Sequence, residues 1–319
     1  MKAEKSNSPT KKLSKNVWIV KPGELSNRGN GITVIDELYE LNTILKSKGK
    51  HTNGQEKTYI VQKYIEKPML YKGRKFDIRH YMMISRLHGR MRAYWFSEGY
   101  IRTSCYEYDI EEVGDEMIHL TNDAIQKHCP AYGKYEEGNK LSYAEFQRYL
   151  DSNYPEKKYS FIEQIYPRMR EIAADSVKST YLWMDPDESQ HNFEIFGLDF
   201  MIDSHFGVWL IEVNTNPCLE ISSQLLSRII PTMLENSLRL GLDPLFPPPA
   251  HYPNSIKYLA PDSPMERLQF ELIFDEARDG KELEGLFQKA GKADCGEIEE
   301  EDETYENDGK ELELGGDLE

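Results

Sequence analysis

The sequence predicts an α+β fold built on a mixed sheet, and three observations carry that prediction. Short β-branched and aromatic runs mix with helical patterns, without the regular βαβ alternation of a doubly wound sheet. Residues 196–214, FGLDFMIDSHFGVWLIEVN, are two apolar runs joined by a glycine-containing turn, which is hairpin chemistry. No internal repeat interrupts this order, and 319 residues suffice for one large domain or two small ones.

The elements follow in chain order. NVWIV is a short strand, followed by the glycine-punctuated loop KPGELSNRGNG and a second strand, ITVI. Asp36 is positioned as N-cap of a helix through ELYELNTILKSK, with Gly49 just beyond its end. TYIVQKYI is the next strand, and FDIRHYMMIS and RMRAYWFS pair around Leu87 to Gly89. Two helices come next, LSYAEFQRYLDS and YSFIEQIYPRMREIAADSVKSTYLW, with Pro167 kinking or dividing the second. After the hairpin, ISSQLLSRIIPTMLENSLRLG is a helical pattern interrupted by Pro231 and closed by Gly241. DPLFPPPAHYP ends the compact region.

Three segments are therefore expected: a flexible basic leader over 1–15, a compact body over 16–250, and an acidic, largely disordered tail over 251–319. From Asp262 onward there are 21 acidic and 6 basic residues, which accounts for nearly all of the net charge of −16. Because the tail dominates that charge, it argues only weakly against a nucleic-acid partner. No apolar run is long enough to span a membrane, and the leader has no apolar core of a secretory signal. Cys105, Cys129, Cys218 and Cys295 are scattered, which fits a reduced intracellular compartment better than a zinc site or disulfide framework.

The hairpin poses the chemical question. Side chains alternate along a strand, so Leu210, Glu212 and Asn214 share one face, and pairing the two runs can bring Asp199 to the same spot. Oxygen-bearing side chains on an apolar sheet are costly unless a cation neutralises them, and Mg²⁺ takes one or two carboxylates plus phosphate oxygens. A structural salt bridge to Glu212 is the alternative. Lys21 ends an apolar strand beside a loop whose Gly23, Gly29 and Gly31 let the backbone approach a ligand, with Arg28 in reach of polyphosphate; an ordinary flexible loop has the same look, and no Walker A motif is present. Gln62 and Lys63 interrupt a strand and suit an adenine edge, although a surface strand with one polar face would read the same way. Lys75, Asp77 and Arg79 lie on one strand face, with Arg102 one hairpin later; a salt-bridged solvent face is the competing reading. In HLTN, Thr121 and Asn122 read by themselves as a helix cap. Taken together, a cationic wall opposite an oxygen-rich one is apparatus for Mg²⁺-ATP and phosphoryl transfer.

WIVKPGELSNRGNGI, YIVQKYIEKPMLYKGRKFDIRHYMMI, EGYIRTS, HLTNDAIQK, GKYEEGN and FEIFGLDFMID with VWLIEVNTNP resemble, in order, the motifs of the tubulin-tyrosine ligase family of ligases, polyglutamylases and glycylases. The resemblance runs from about Trp18 to about Pro247. It implies an ATP-grasp fold and an ATP-dependent ligase that joins an amino acid to a carboxylate of a tubulin tail through an acyl phosphate. It implies phosphate binding by Lys21, Arg28 and Gly29, an adenine pocket lined by Gln62, Lys63 and Ile65, and further nucleotide contacts from Lys75, Asp77, Thr121 and Asn122. Arg79 and Arg102 are the implied catalytic residues, and Asp199, Glu212 and Asn214 the implied Mg²⁺ ligands. Glutamate is the preferred donor, with tyrosine or glycine as alternatives. The implied partners are tubulin and a free amino acid, with neither nucleic acid nor membrane, for a monomer in the cytoplasm on microtubules or at a cilium or basal body. The family's N-terminal domain is expected to be missing ahead of WIVKP. An inert nucleotide-binding module and an ATP-grasp ligase for a non-tubulin protein stay open as alternatives.

Overall fold

The structure, a computed structural model, describes residues 15–23, 29–46, 49–50, 54, 56–185, 189–247, 249 and 269–294. Most of the leader, Arg28, Cys295 and the end of the tail lie outside the described residues. Three strands come first: β1 (Trp18–Pro22), β2 (Thr33–Ile35), then after α1 (Leu38–Lys46) β3 (Tyr59–Lys63); they form an antiparallel sheet in the order β2-β1-β3. α1 starts two residues after Asp36, whose carboxylate pairs with Lys15 at 3.1 Å.

The larger sheet begins with β4 (Leu70–Tyr71), β5 (Arg74–Leu87) and β6 (Arg90–Glu107). His88 and Gly89, both at positive φ, make the tight turn that joins β5 and β6, as their sequence spacing requires. Next come two one-turn helices, α2 (Glu116–His119) and α3 (Asp123–Gln126), then β7 (Lys140–Leu141) and α4 (Tyr143–Asn153). Ser142 and Glu145 cap α4 reciprocally. Pro167 sits in the first turn of α5 (Tyr166–Thr180), after a π-helical turn over Phe161–Ile165, so the proline divides the pattern as expected. β8 (His191–Ile202) and β9 (Val208–Asn214) are the predicted hairpin, its turn held by Asp203 accepting from the His205 and Gly207 amides.

α6 (Gln224–Gly241) corrects the sequence reading, because it runs unbroken through Pro231. A proline costs a helix interior one hydrogen bond and roughly 3 kcal/mol. Here Pro231 faces solvent while Leu226, Ile229, Ile230 and Met233 bury the opposite stripe, and that burial holds the helix together. A second correction follows downstream. β10 (Phe270–Asp275) and α7 (Glu276–Asp294) fall in the stretch assigned to a disordered tail, yet β10 pairs with β6. The large sheet therefore runs β10-β6-β5-β8-β9, antiparallel throughout, with β4 on β5 and β7 on β6.

β5 is buried along its whole length because both faces of the sheet are covered. Phe76, Ile78, Met82 and Ile84 point into a core shared with α4 and α5, while Tyr81 and Met83 meet α6 on the other side. Lys75, Asp77 and Arg79 occupy the α6-facing side near one end of β5, where the small sheet stands over them. Phe274 of β10 is completely buried against Tyr181, so Phe274→Ala should lower the unfolding free energy by about 3–5 kcal/mol in urea titrations. An unchanged midpoint would mean that β10 contributes nothing to the core.

Candidate active site

A cleft of about 600 Å³ lies between the two sheets. Lys21, Gln62, Lys63 and Ile65 reach it from the small-sheet side, Lys75 and Asp77 from β5, Thr121 and Asn122 from the start of α3, and Glu212 and Asn214 from β9. Residues separated by up to some two hundred positions meet because β1 and β3 pair over the end of the larger sheet. Gly29 also lines the cleft. Its φ of +82° and the 2.8 Å that a Cβ would leave to Ile125 show why only glycine lets this loop press against Asn122.

Arg79 and Arg102 are not on the cleft surface. Each is buried behind it, while Lys75, Asp77 and Asp199, also buried, line it, and this burial rules out a solvent-facing salt-bridged strand. Arg79 grips Asp199 through Nε and through Nη2 at 3.0 Å. Arg102 donates to Asp77 from Nε at 2.7 Å and from Nη2 at 2.5 Å, and from Nη2 to Asp199 at 2.8 Å. Two guanidiniums and two carboxylates thus alternate across β8, β5 and β6 and neutralise one another. Burial alone would push the Asp199 carboxyl up, but Arg102 and Arg79 overrule it and hold Asp199 well below the usual carboxylate range. Thr121 donates its hydroxyl to Asp77 at 2.5 Å. Asn122 stands at the cap position of α3 without a side-chain capping bond, so the cap reading of HLTN gives way to this Thr121–Asp77 link.

Asp199 and Glu212 are direct cross-strand partners, and Gly197 lies opposite Asn214, so the register converges as the sequence predicts. Among the described residues Glu212 has no bidentate arginine. Burial and the adjoining Asp199 push its carboxyl up, with Asn214 and Lys21 opposing. The Asn214 amide nitrogen donates to Gly197 O at 3.1 Å and to Glu212 at 3.2 Å, which turns the amide oxygen away from those acceptors. Among the described residues no group of three His, Cys, Asp or Glu side chains is placed to hold a metal. The oxygen set is a carboxylate with unmet negative charge, an amide oxygen, and Asp199, already engaged by two arginines. Such a partial shell suits Mg²⁺, which keeps places for phosphate oxygens and water.

The cations enter the cleft from both sheets, Lys21 and Lys63 from the small one and Lys75 from the large one. Burial lowers the Lys21 ammonium while Glu212 and Asp199 raise it. Lys63 lies at the rim, its ammonium tied to Val17 O at 2.9 Å and to the Glu66 carboxylate. Lys75 donates to the Tyr64 hydroxyl at 2.8 Å and to His119 O at 2.7 Å. Tyr64 and His119 were not singled out from sequence, although each sits inside a quoted motif, YIVQKYI and HLTN. The available signal was a tyrosine just past a strand and a histidine at a one-turn helix, both beside predicted ligand residues.

The sequence model of the Tubulin-tyrosine ligase family matches residues 1–251. The chain is 35% identical over 232 residues to Tubulin glycylase 3D of Tetrahymena thermophila, covering 72% of this chain and 21% of that protein. It is 34% identical over 240 residues to Tubulin glycylase 3B of Drosophila melanogaster, covering 72% and 29%. With the human Tubulin monoglycylase TTLL3 it shares 30% over 233 residues, again 72% and 29%. The chain spans under a third of the length of each of these relatives. Antiparallel sheets closing on a cleft fit an ATP-grasp-like arrangement, and the chain belongs to the tubulin-tyrosine ligase family.

Proposed function

We propose that the chain is an ATP-dependent ligase that joins glycine to a carboxylate of tubulin. Glycine replaces the glutamate preferred from sequence, because the relatives compared above are named glycylases. The single observation that carries the reading is the cleft itself. Lys21 enters it from the small sheet and Lys75 from β5, beside the incompletely neutralised Glu212 and the Asn214 amide on β9.

Magnesium ATP would supply the phosphoryl group that activates the acceptor carboxylate; Glu212 and Asn214, with Asp199, would hold the ion. The chain's own residues supply placement and charge. Lys21 and Lys75 offset the repulsion between an anionic acceptor and a polyphosphate. The apolar lining from Ile19, Ile32 and Ile65 suits a base stacked beside Gln62. Arg79 and Arg102, spent on Asp199 and Asp77, act by fixing those carboxylates, so that β8 and β9 present Glu212 in one position. In the balanced reaction the acceptor carboxylate takes the γ-phosphoryl and ADP leaves. The glycine amine then displaces phosphate and gives up a proton.

Purified protein incubated with ATP, Mg²⁺, tubulin and separately labelled glycine, glutamate or tyrosine should incorporate glycine only, and only with ATP. Labelling by glutamate in place of glycine would overturn the donor assignment. Nucleotide binding without any incorporation would favour an inert binding module.

A further inference from the structure

Lys75 is almost completely buried, lines the cleft, and has no carboxylate within ion-pair distance among the described residues. Asp77, two residues along the same strand, is the nearest anion, and its oxygens accept from Arg102 and Thr121. The protein offers Lys75 two acceptors, the Tyr64 hydroxyl at 2.8 Å and His119 O at 2.7 Å. A neutral amine has two N–H groups, enough to meet both. An ammonium has a third, which only an acceptor in the cleft can take.

The neighbours are ordered so that Tyr64 must accept. Glu112 O can only accept, so His119 carries its proton on Nε2, 3.0 Å away. Its Nδ1 is then an acceptor, 2.8 Å from the Tyr64 hydroxyl, which donates to it. The Tyr64 oxygen is left to receive Lys75. A second proton on His119 would point at that same oxygen and turn the tyrosine hydroxyl toward an ammonium with no lone pair. Burial and Lys75 accordingly push His119 down to about 4. Tyr108 closes the far side of the histidine ring edge-on.

We infer that nucleotide enters this cleft with uptake of a proton at Lys75, and that Tyr64 and His119 are positioning residues that set the pH range of that uptake. The inference rests on the nucleotide reading above. The charged and titratable groups facing Lys75 are Lys21 from β1, which opposes its charge, Asp77 on β5, which favours it, Tyr64 after β3, and His119 on α2. Burial, with Lys21 adding, brings the lysine down to about 7 in spite of Asp77. A phosphate oxygen in the cleft supplies the missing acceptor and the counter-charge, and the amine becomes an ammonium.

The test is titration calorimetry with Mg-ADP in buffers of different ionisation enthalpy, which counts protons exchanged on binding. Lys75→Arg keeps the cation but cannot exchange a proton, so the difference between wild type and this variant isolates the lysine from the nucleotide's own ionisation and from Glu212. With a lysine at about 7, that difference should be ~0.9 proton at pH 8 and ~0.1 at pH 6. Tyr64→Phe removes one acceptor and should move the midpoint of uptake about one unit lower in pH while leaving its amplitude. Binding with no difference between wild type and Lys75→Arg at pH 8 would overturn the inference and leave the nucleotide reading standing. An unmoved midpoint in a folded Tyr64→Phe would overturn the positioning role. Failure of wild type to bind Mg-ADP would overturn the nucleotide reading and this inference together.

Discussion

Asp199→Ala is expected to lower the unfolding free energy by about 3–5 kcal/mol, because it strands Arg79 and half of the Arg102 network in a buried place without counter-charge. Desolvating a guanidinium is repaid only while its carboxylate is present. Removing the pair as a unit should cost far less: Asp199→Leu with Arg79→Met is expected to recover much of the loss, since Arg102 keeps Asp77. Urea titrations at pH 7 read both. The pH dependence has a definite sign. Asp199 is depressed in the folded state, so its stabilisation is complete above the ordinary aspartate range of about 4 and drains away as pH falls toward the lower folded value. The Asp199→Asn variant should lose that acid-side slope. An Asp199→Ala protein as stable as wild type would mean that the four-residue chain of charges does not hold the sheet together.

Glu212→Gln is expected to do the opposite, leaving stability intact while the proposed ligation falls by roughly 10²–10³-fold or more. Burial and Asp199 raise the Glu212 carboxyl, so its ionised form is unfavourable in the empty folded protein. For an acid raised in this way, the penalty is absent at low pH and grows as pH rises through the ordinary range, so a neutral isostere relieves it near neutrality. Under the proposed function the same residue would hold the cation. Two readouts separate these roles: thermal melting without ligand should be unchanged or slightly higher in Glu212→Gln, and the rise in melting temperature that Mg-ATP gives the wild type should shrink. Full activity in this variant would remove Glu212 from the metal shell.

Much of this site was legible because strand alternation is geometric. Lys75, Asp77 and Arg79 had to share a face once FDIRHYMMIS was a strand, and Asp199, Glu212 and Asn214 had to converge once 196–214 was a hairpin. Alternation names a face but not a partner. That Arg102 would bind Asp77 and Asp199 depends on the register of β6 on β5 and of β5 on β8, which one strand's periodicity does not contain. The arginines therefore read as groups facing the ligand, whereas they brace the acids from behind. Tyr64 and His119 were obscured for a related reason, since their part comes from hydrogen bonds made across three separate elements. Pro231 misled through local propensity, which the buried stripe of α6 outweighs. In the acidic stretch, charge averaged over dozens of residues concealed the six-residue run FELIFD.

That run has a practical meaning for where the chain can be divided. The family match stops at residue 251, but the outermost strand of the sheet lies beyond it, at Phe270–Asp275. Without it, the Arg92–Phe96 stretch of β6 would offer a bare row of amides and carbonyls next to Trp95 and Phe96, a template for stacking copies edge to edge. The stretch that the family model matches and the stretch that completes the sheet are thus different lengths, and a fragment cut at residue 251 would leave the edge of β6 open.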